Sequence, residues 1–234
     1  MSSGDQNVAA NDDLYIEQRA CGPMANFVYL VGSRSSREMV LVDAAWDIDG
    51  LLARVQELGF KLVGALVTHY HPDHVGGEIF GHSIDGLPQL LERQGLKIYV
   101  NRLEAEGLRQ VTGVSESDLV KVDSGDTLRV GEIEIEFLHT PGHTPGSQCF
   151  RVRKALVSGD TLFIQGCGRV DLPGADPDQM FHSLRKLCEL PDDVTLFPGH
   201  DYGGGPQLSM GEAKRTNSYL RIPSLELWRQ LMGA

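Results

Sequence analysis

The segment Leu62-Val63-Gly64-Ala65-Leu66-Val67-Thr68-His69-Tyr70-His71-Pro72-Asp73-His74 decides how this chain is read. An apolar run of strand length ends at Thr68. Three imidazoles and one carboxylate then follow within six positions, His69 to His74. Imidazole and carboxylate are the donors that borderline divalent ions take. His69 and His71 are two apart, so on an extended segment they point the same way. Pro72 ends the extended run, and Asp73 and His74 fall on a new helical turn. The stretch reads as a strand end that feeds two neighbouring metal positions from one loop.

Two ions need more donors than this loop carries, and other strand ends offer them. His143 lies in His139-Thr140-Pro141-Gly142-His143-Thr144-Pro145-Gly146, after the alternating segment Ile133-Glu134-Ile135-Glu136-Phe137, a half-buried strand pattern. Asp160 lies in Val157-Ser158-Gly159-Asp160-Thr161, and His200 in Leu196-Phe197-Pro198-Gly199-His200-Asp201-Tyr202. Each follows a short apolar run and a glycine, where a turning chain lets a side chain reach a shared cleft. Alone, His143 or His200 reads as a turn residue. Beside the first loop they read as ligands, and Asp160, whose carboxylate can touch two ions, as the bridge.

The ordered set T-H-x-H-x-D-H, P-G-H-T-P-G, S-G-D-T-L-F and P-G-H resembles the metallo-β-lactamase superfamily, from about Tyr15 to about Tyr202. The resemblance implies an α/β fold, a four-layer αββα sandwich with a metal cleft at one edge of its two sheets. It implies that His69, His71 and His143 hold one ion, that Asp73, His74 and His200 hold a second, and that Asp160 bridges them. The implied cofactors are two divalent ions, zinc first, with iron or manganese as alternatives. Within the superfamily, Gly159-Asp160-Thr161-Leu162-Phe163, then Gly166-Cys167-Gly168-Arg169 and Gly199-His200-Asp201-Tyr202, are most similar to the glyoxalase II group. The tail Gly211-Glu212-Ala213-Lys214-Arg215-Thr216-Asn217 is similar to that of persulfide dioxygenases, which share the fold.

The function so implied is a metallo-hydrolase, in which metal-bound hydroxide attacks an acyl carbonyl, that of a thioester such as S-lactoylglutathione. No G-x-S-x-G nucleophile motif is present to offer a serine route. Asp73 would orient the hydroxide. Tyr202 resembles a glutathione-contacting position, and Lys214 and Arg215 are auxiliary candidates. Arg169 suits a substrate carboxylate, because a guanidinium fork matches one, or else it pins the loop after Asp160. Only residues 201–234 follow His200, whereas glyoxalase II proper carries a larger helical domain that grips glutathione. The main alternative is a persulfide dioxygenase using one iron on His69, His143 and Asp160, a 2-His-1-carboxylate set. Gly76-Gly77 and the long segment Gly81 to Gly95 depart from that group and favour hydrolysis. A lactonase or another hydrolase of the fold is a further alternative. A non-catalytic scaffold would be expected to have lost ligands, and no ligand position is lost here.

With 234 residues, 41% hydrophobic and 23% charged, the chain reads as a soluble globular protein able to bury a layered core. A formal charge of −11 excludes a broad basic footprint, so no nucleic-acid partner is expected. The four cysteines, Cys21, Cys149, Cys167 and Cys188, are widely spaced, and no disulfide frame is expected. Cys149 reads as a buried thiol. Cys167, in the glycine-rich loop after Asp160, reads as a small turn residue before a reactive one. No apolar stretch reaches membrane-spanning length, and no membrane partner is expected. Residues 1–11 read as a disordered leader without a signal core, and residues 12–234 as one domain with a short helical tail, in the cytoplasm. The expected partner is a small acyl thioester; oligomeric state is not legible.

Strand patterns are expected at Tyr15–Ala20, Asn26–Val31, Met39–Asp43, Lys97–Val100, Thr127–Val130, Ile133–Leu138, Ser147–Arg153, Ala155–Ser158 and Val194–Phe197. Helical spacing is expected at Asp47–Leu58, Arg102–Val111 and Pro177–Leu190. Leu87, Leu90 and Leu91 predict a short helix beside the cleft, as lid or wall.

Overall fold

The computed structural model describes residues 13–233. The segment read as a leader lies outside them.

Strands β1 (Leu14–Cys21), β2 (Asn26–Ser33) and β3 (Glu38–Val42) form an antiparallel meander. Helix α1 (Ile48–Glu57) crosses over to β4 (Lys61–Leu66), which runs parallel to β3. The Asp47 carboxylate accepts the Gly50 N–H and starts α1. A one-turn helix α2 (Pro72–Val75), a small hairpin β5 (Gly77–Ile79) and β6 (His82–Ile84), and helix α3 (Leu87–Arg93) follow. Then come β7 (Lys97–Asn101), α4 (Ala105–Thr112) and β8 (Leu119–Val122). The first sheet has the order β1-β2-β3-β4-β7-β8.

The second half begins with β9 (Thr127–Val130), β10 (Ile133–His139), β11 (Gln148–Val152) and β12 (Ala155–Gly159). A short hairpin, β13 (Leu162–Phe163) with β14 (Gly166–Cys167), precedes helix α5 (Pro177–Cys188) and strand β15 (Thr195–Pro198). Strand β16 (Leu208–Ser209) and helices α6 (Met210–Thr216) and α7 (Leu225–Met232) close the described chain. The second sheet has the order β16-β15-β12-β11-β10-β9.

Three apolar layers separate four layers of structure. Val28, Leu30, Met39 and Leu41 face α1, α3 and α4, meeting Leu51, Leu90 and Leu108. The alternate residues of the same strands, Tyr29, Val31, Val40 and Val42, face the other sheet and meet Ile135, Phe137 and Phe150. The far face of the second sheet, with Cys149, Leu156 and Leu196, packs on Met180, Leu184, Met210 and Trp228 of α5 to α7. Every residue of β2 is buried. Its side chains alternate between two cores, which is why the strand reads as nearly unbroken apolar sequence rather than as an alternating one. The αββα sandwich expected from the sequence is the observed architecture.

One expectation needs correction and one is narrowed. The helix expected over 102–111 starts later, at Ala105. Asn101 takes the Leu103 N–H on its side chain and the Glu104 N–H on its carbonyl, so a turn occupies the first positions. Gly107 inside that helix has a packing cause: a Cβ there would lie 2.9 Å from the Tyr70 ring. The segment after Gly81 is a wall and not a lid, since Leu87 and Leu90 are wholly buried in the first core. Among the described residues, no helix is long and apolar enough to cross a membrane.

Candidate metal centre

Strand ends β4, β10, β12 and β15 deliver the predicted donors to one edge of the sandwich. Three overlapping groups have their nitrogen and oxygen atoms within 4.8 Å of one another: His69, His71 and His143; His69, His74 and Asp160; Asp73, His74 and His200. All seven predicted ligand positions are in this set. His71 has an extended backbone, and Pro72 opens α2 at its first position, so Asp73 and His74 turn into the site on one helical turn. Six of the seven side chains are buried, and His71 is half-buried, so the site opens on its side.

The donor atoms are spaced as ligands of shared ions would be. His71 Nδ1 and His143 Nε2 are 3.0 Å apart, and His74 Nε2 and His200 Nε2 are 3.0 Å apart. Asp73 Oδ2 lies 3.3 Å from both His74 Nε2 and His200 Nε2. Asp160 Oδ2 is 3.6 Å from His143 Nε2 and 3.4 Å from His200 Nε2, while its Oδ1 is 3.4 Å from His74 Nε2. Four donors at about 2.0–2.1 Å from a tetrahedral ion are themselves roughly 3.3 Å apart. Two buried donors, His69 Nε2 and Asp160 Oδ1, have no hydrogen-bond partner in the protein. A buried orphan of this kind is costly unless something satisfies it. The donor set therefore fits a pair of divalent cations.

The far nitrogens fix the imidazoles. His143 Nδ1–H donates to the Arg169 carbonyl at 2.8 Å and His200 Nδ1–H to the Met24 carbonyl at 2.9 Å. His74 Nδ1–H donates to Asp43 Oδ2 at 3.0 Å, and His69 Nδ1 lies 3.0 Å from Thr68 Oγ1. Thr68 in turn donates its hydroxyl to Asp43 Oδ2 at 2.6 Å and its N–H to Oδ1 at 2.8 Å. With Nδ1 committed, each Nε2 points inward as the atom left to meet an ion. Asn26 donates to Asp73 Oδ2 at 2.9 Å, and the Trp46 indole donates to the Asp73 carbonyl at 2.9 Å.

Electrostatics separate the groups. Burial, then the neighbouring imidazoles, push His69 far below the usual histidine range and His71 down to about 4. Burial also opposes charge on His74 and His200, but there the carboxylates win. Asp73, Asp160 and Asp43 raise His74, and Asp160 with Asp73 raise His200 to about 9. Burial likewise opposes ionisation of Asp73 and Asp160. The imidazoles of His74 and His200 overcome it, and both carboxyls sit below their ordinary range.

The other predicted site residues differ in their surroundings. Tyr202 is exposed, with its ring stacked on His200 at 4.6 Å and 12° and its edge toward Phe163 at 5.1 Å. The Arg169 guanidinium is exposed and closed on Asp171 at 2.9 and 2.8 Å, so its main chain, not its side chain, touches the centre. Lys214 is committed to the Leu190 carbonyl and to Asp192, and Arg215 is exposed. Burial pushes the Cys167 thiol up to about 12, away from the range of an activated thiolate. Among the described residues, all four cysteines are free.

Sequence reading missed Asp43, Asn26 and Asn217. Asp43 follows the apolar run Val40-Leu41-Val42, an available signal. Asn217 donates to the carbonyls of Phe163 and Gly166, fixing the hairpin after Asp160 at 3.0 and 2.9 Å.

A model of the metallo-beta-lactamase superfamily matches residues 21–200. The chain belongs to that superfamily. It is thus placed among metal-dependent hydrolases, with the mixed α/β sandwich that they share. It is 30% identical over 203 residues to the probable polyketide biosynthesis zinc-dependent hydrolase BaeB of Bacillus velezensis, covering 86% of this chain and 84% of that one. It is 33% identical over 211 residues to the mitochondrial persulfide dioxygenase ETHE1 of Homo sapiens, covering 88% and 76%. With a hydroxyacylglutathione hydrolase of Rhodopseudomonas palustris the identity is 38% over 179 residues, covering 76% of this chain and 63% of the relative. The crystal structure of ETHE1 from Myxococcus xanthus superposes with a TM-score of 0.80 at 31% identity, covering 94% of this chain and 90% of that one.

Proposed function

We propose that this chain is a two-ion hydrolase of acyl thioesters, a glutathione conjugate being one such substrate. The observation that carries the reading is Asp160: its Oδ2 lies between His143 of one set and His200 of the other, and its Oδ1 lies against His74. A carboxylate so shared suits two ions rather than one. His69, His71 and His143 would hold the first ion and Asp73, His74 and His200 the second. Zinc is the proposed metal; a relative similar over 86% of the chain is described as a zinc-dependent hydrolase.

Bound divalent ions supply a Lewis acid for the acyl oxygen and lower the pKa of water from 15.7 toward about 7. The chain supplies the rest. Asp73 is held ionised, with one oxygen fixed by Asn26, and is available to orient the attacking water. The Tyr202 and Phe163 rings offer an apolar wall beside His200 for the thiol or acyl portion. Arg169 reaches a substrate carboxylate by exchanging Asp171 for it, at small cost because an exposed ion pair contributes little.

A second reading, persulfide dioxygenase with one iron on His69, His143 and Asp160, draws support from the 33% identity to ETHE1. Elemental analysis of purified protein, beside a panel of thioesters, lactones and glutathione persulfide, separates the two. Two zinc ions per chain and thioester cleavage support hydrolysis. One iron and oxygen consumption with the persulfide support the alternative. A chelator-stripped protein that cleaves thioesters at an undiminished rate defeats the two-ion reading.

A further inference from the structure

Glu104 lies at the start of α4 and is completely buried. Its Oε2 accepts the Tyr70 N–H at 2.9 Å and its Oε1 accepts the Gly146 N–H at 2.6 Å. Tyr70 stands between His69 and His71 on the first ligand loop. Gly146 stands three residues after His143 on the second. The two loops are far apart in sequence, and this one carboxylate joins them. Both oxygens act as acceptors, as a carboxylate does. No Lys or Arg among the described residues forms an ion pair with it. A buried carboxylate without a cation is an expensive way to hold two loops, but two N–H donors need its two oxygen acceptors, and an amide offers only one.

The approach is tight on both sides. A Cβ on Gly146 would lie 2.7 Å from Glu104 Cγ and 2.8 Å from its backbone nitrogen. The Tyr70 ring meanwhile rests on Gly107 of the same helix. The end of α4 therefore grips the His69–His71 segment twice and the His143 loop once.

We propose that Glu104 is a positioning residue for the first ion, setting the 3.0 Å spacing between His71 and His143 by tying their loops to one carboxylate. This rests on the two-ion reading above. Glu104 touches neither substrate nor reacting atoms. Exchange of its charge for an amide turns one acceptor toward the Tyr70 or Gly146 N–H into a donor, and the loops separate.

The test is zinc and cobalt(II) titration of the chelator-stripped full chain, wild type against Glu104→Gln, with the thermal midpoint of the metal-free forms. Wild type is expected to take two ions. The variant should lose about 10–100-fold in affinity for one of them, the usual cost of a lost supporting partner, and keep the other unchanged. Its metal-free midpoint should fall only modestly, since one of the two loop bonds is kept. A variant that binds both ions as wild type does, or that loses both equally along with its metal-free midpoint, overturns the inference. Should Glu104→Gln not fold, Gly146→Ala decides, since its methyl group pushes on the same contact from the other side. Selective loss of one ion then supports the proposal, and unchanged affinities overturn it. A wild-type chain that binds no ion defeats the two-ion reading itself, and this inference with it.

Discussion

The two halves of the centre are built differently. The His69, His71 and His143 set is all imidazole, half-open at His71, and its neighbours drive the His69 and His71 protons off. The Asp73, His74 and His200 set is fully buried and contains its own carboxylate. Asp43, Asn26, Trp46 and the Met24 carbonyl brace it from behind. The first is arranged as a neutral cluster awaiting a cation, the second as a carboxylate-bearing one whose histidines are raised and hold protons in a cation's place. Metal removal should therefore leave the two with opposite proton demands.

Asp160 is the donor that both sets share, so its loss should erase the contrast. Asp160→Ala is expected to lower metal content at both positions and to reduce hydrolysis by more than about 100-fold, beyond the cost of an outer partner. Metal analysis beside the rate checks it; a variant that retains two ions shows that the carboxylate is not the bridge.

Asp43→Asn should sharpen the difference instead. Asp43 bonds His74 directly but reaches His69 only through the Thr68 hydroxyl. An affinity loss of about 10–100-fold is expected at the second position, with a smaller loss at the first. Equal losses in a stepwise zinc titration would mean that the two sets are not independently braced.

The mildest effect is on the pH dependence of the stripped protein. His71 titrates at about 4 in the folded chain against 6.5 ordinarily, so the unfolded chain takes its proton first. Stability from the first set is then present above 6.5 and lost as pH falls toward about 4. His200 titrates at about 9, so the folded chain holds its proton longer. Stability from the second set is present below 6.5 and lost as pH rises through about 9. His69 and His74 shift in the same senses as their partners. Metal-free unfolding midpoints should peak near neutrality and fall on both sides, whereas a monotonic profile would contradict the contrast.

The seven donors were legible because each follows an apolar strand and a turn, a pattern local to its own stretch. The layered fold was legible for a related reason: runs such as Phe27-Val28-Tyr29-Leu30-Val31 are apolar on both faces, as only a doubly covered strand can be. The bracing residues were less so: Asp43 does end an apolar run, but its partner, like those of the others, is distant. Asp43 meets His74 across 31 positions, Asn26 meets Asp73 across 47, and Glu104 meets Gly146 across 42. An isolated acid or amide carries no sign of such a meeting. The start of α4 was misplaced for a smaller version of the same cause, since the Asn101 side chain competes with the helix for backbone groups.

Gly76 and Gly86 meet back to back: a Cβ on Gly86 would fall 2.4 Å from the Gly76 Cα and 2.2 Å from the Val75 carbonyl oxygen. The Trp46 N–H seals the junction by donating to the Asp85 carbonyl at 2.8 Å. The hairpin between them, which carries the fully exposed Phe80, thus leaves and re-enters the body at a single staple. Chain spliced into its exposed tip at Phe80 adds little beyond its own closure, whose free energy changes slowly with length. The tip of this hairpin can be refashioned as a cassette while the cluster of histidines and aspartates stays untouched.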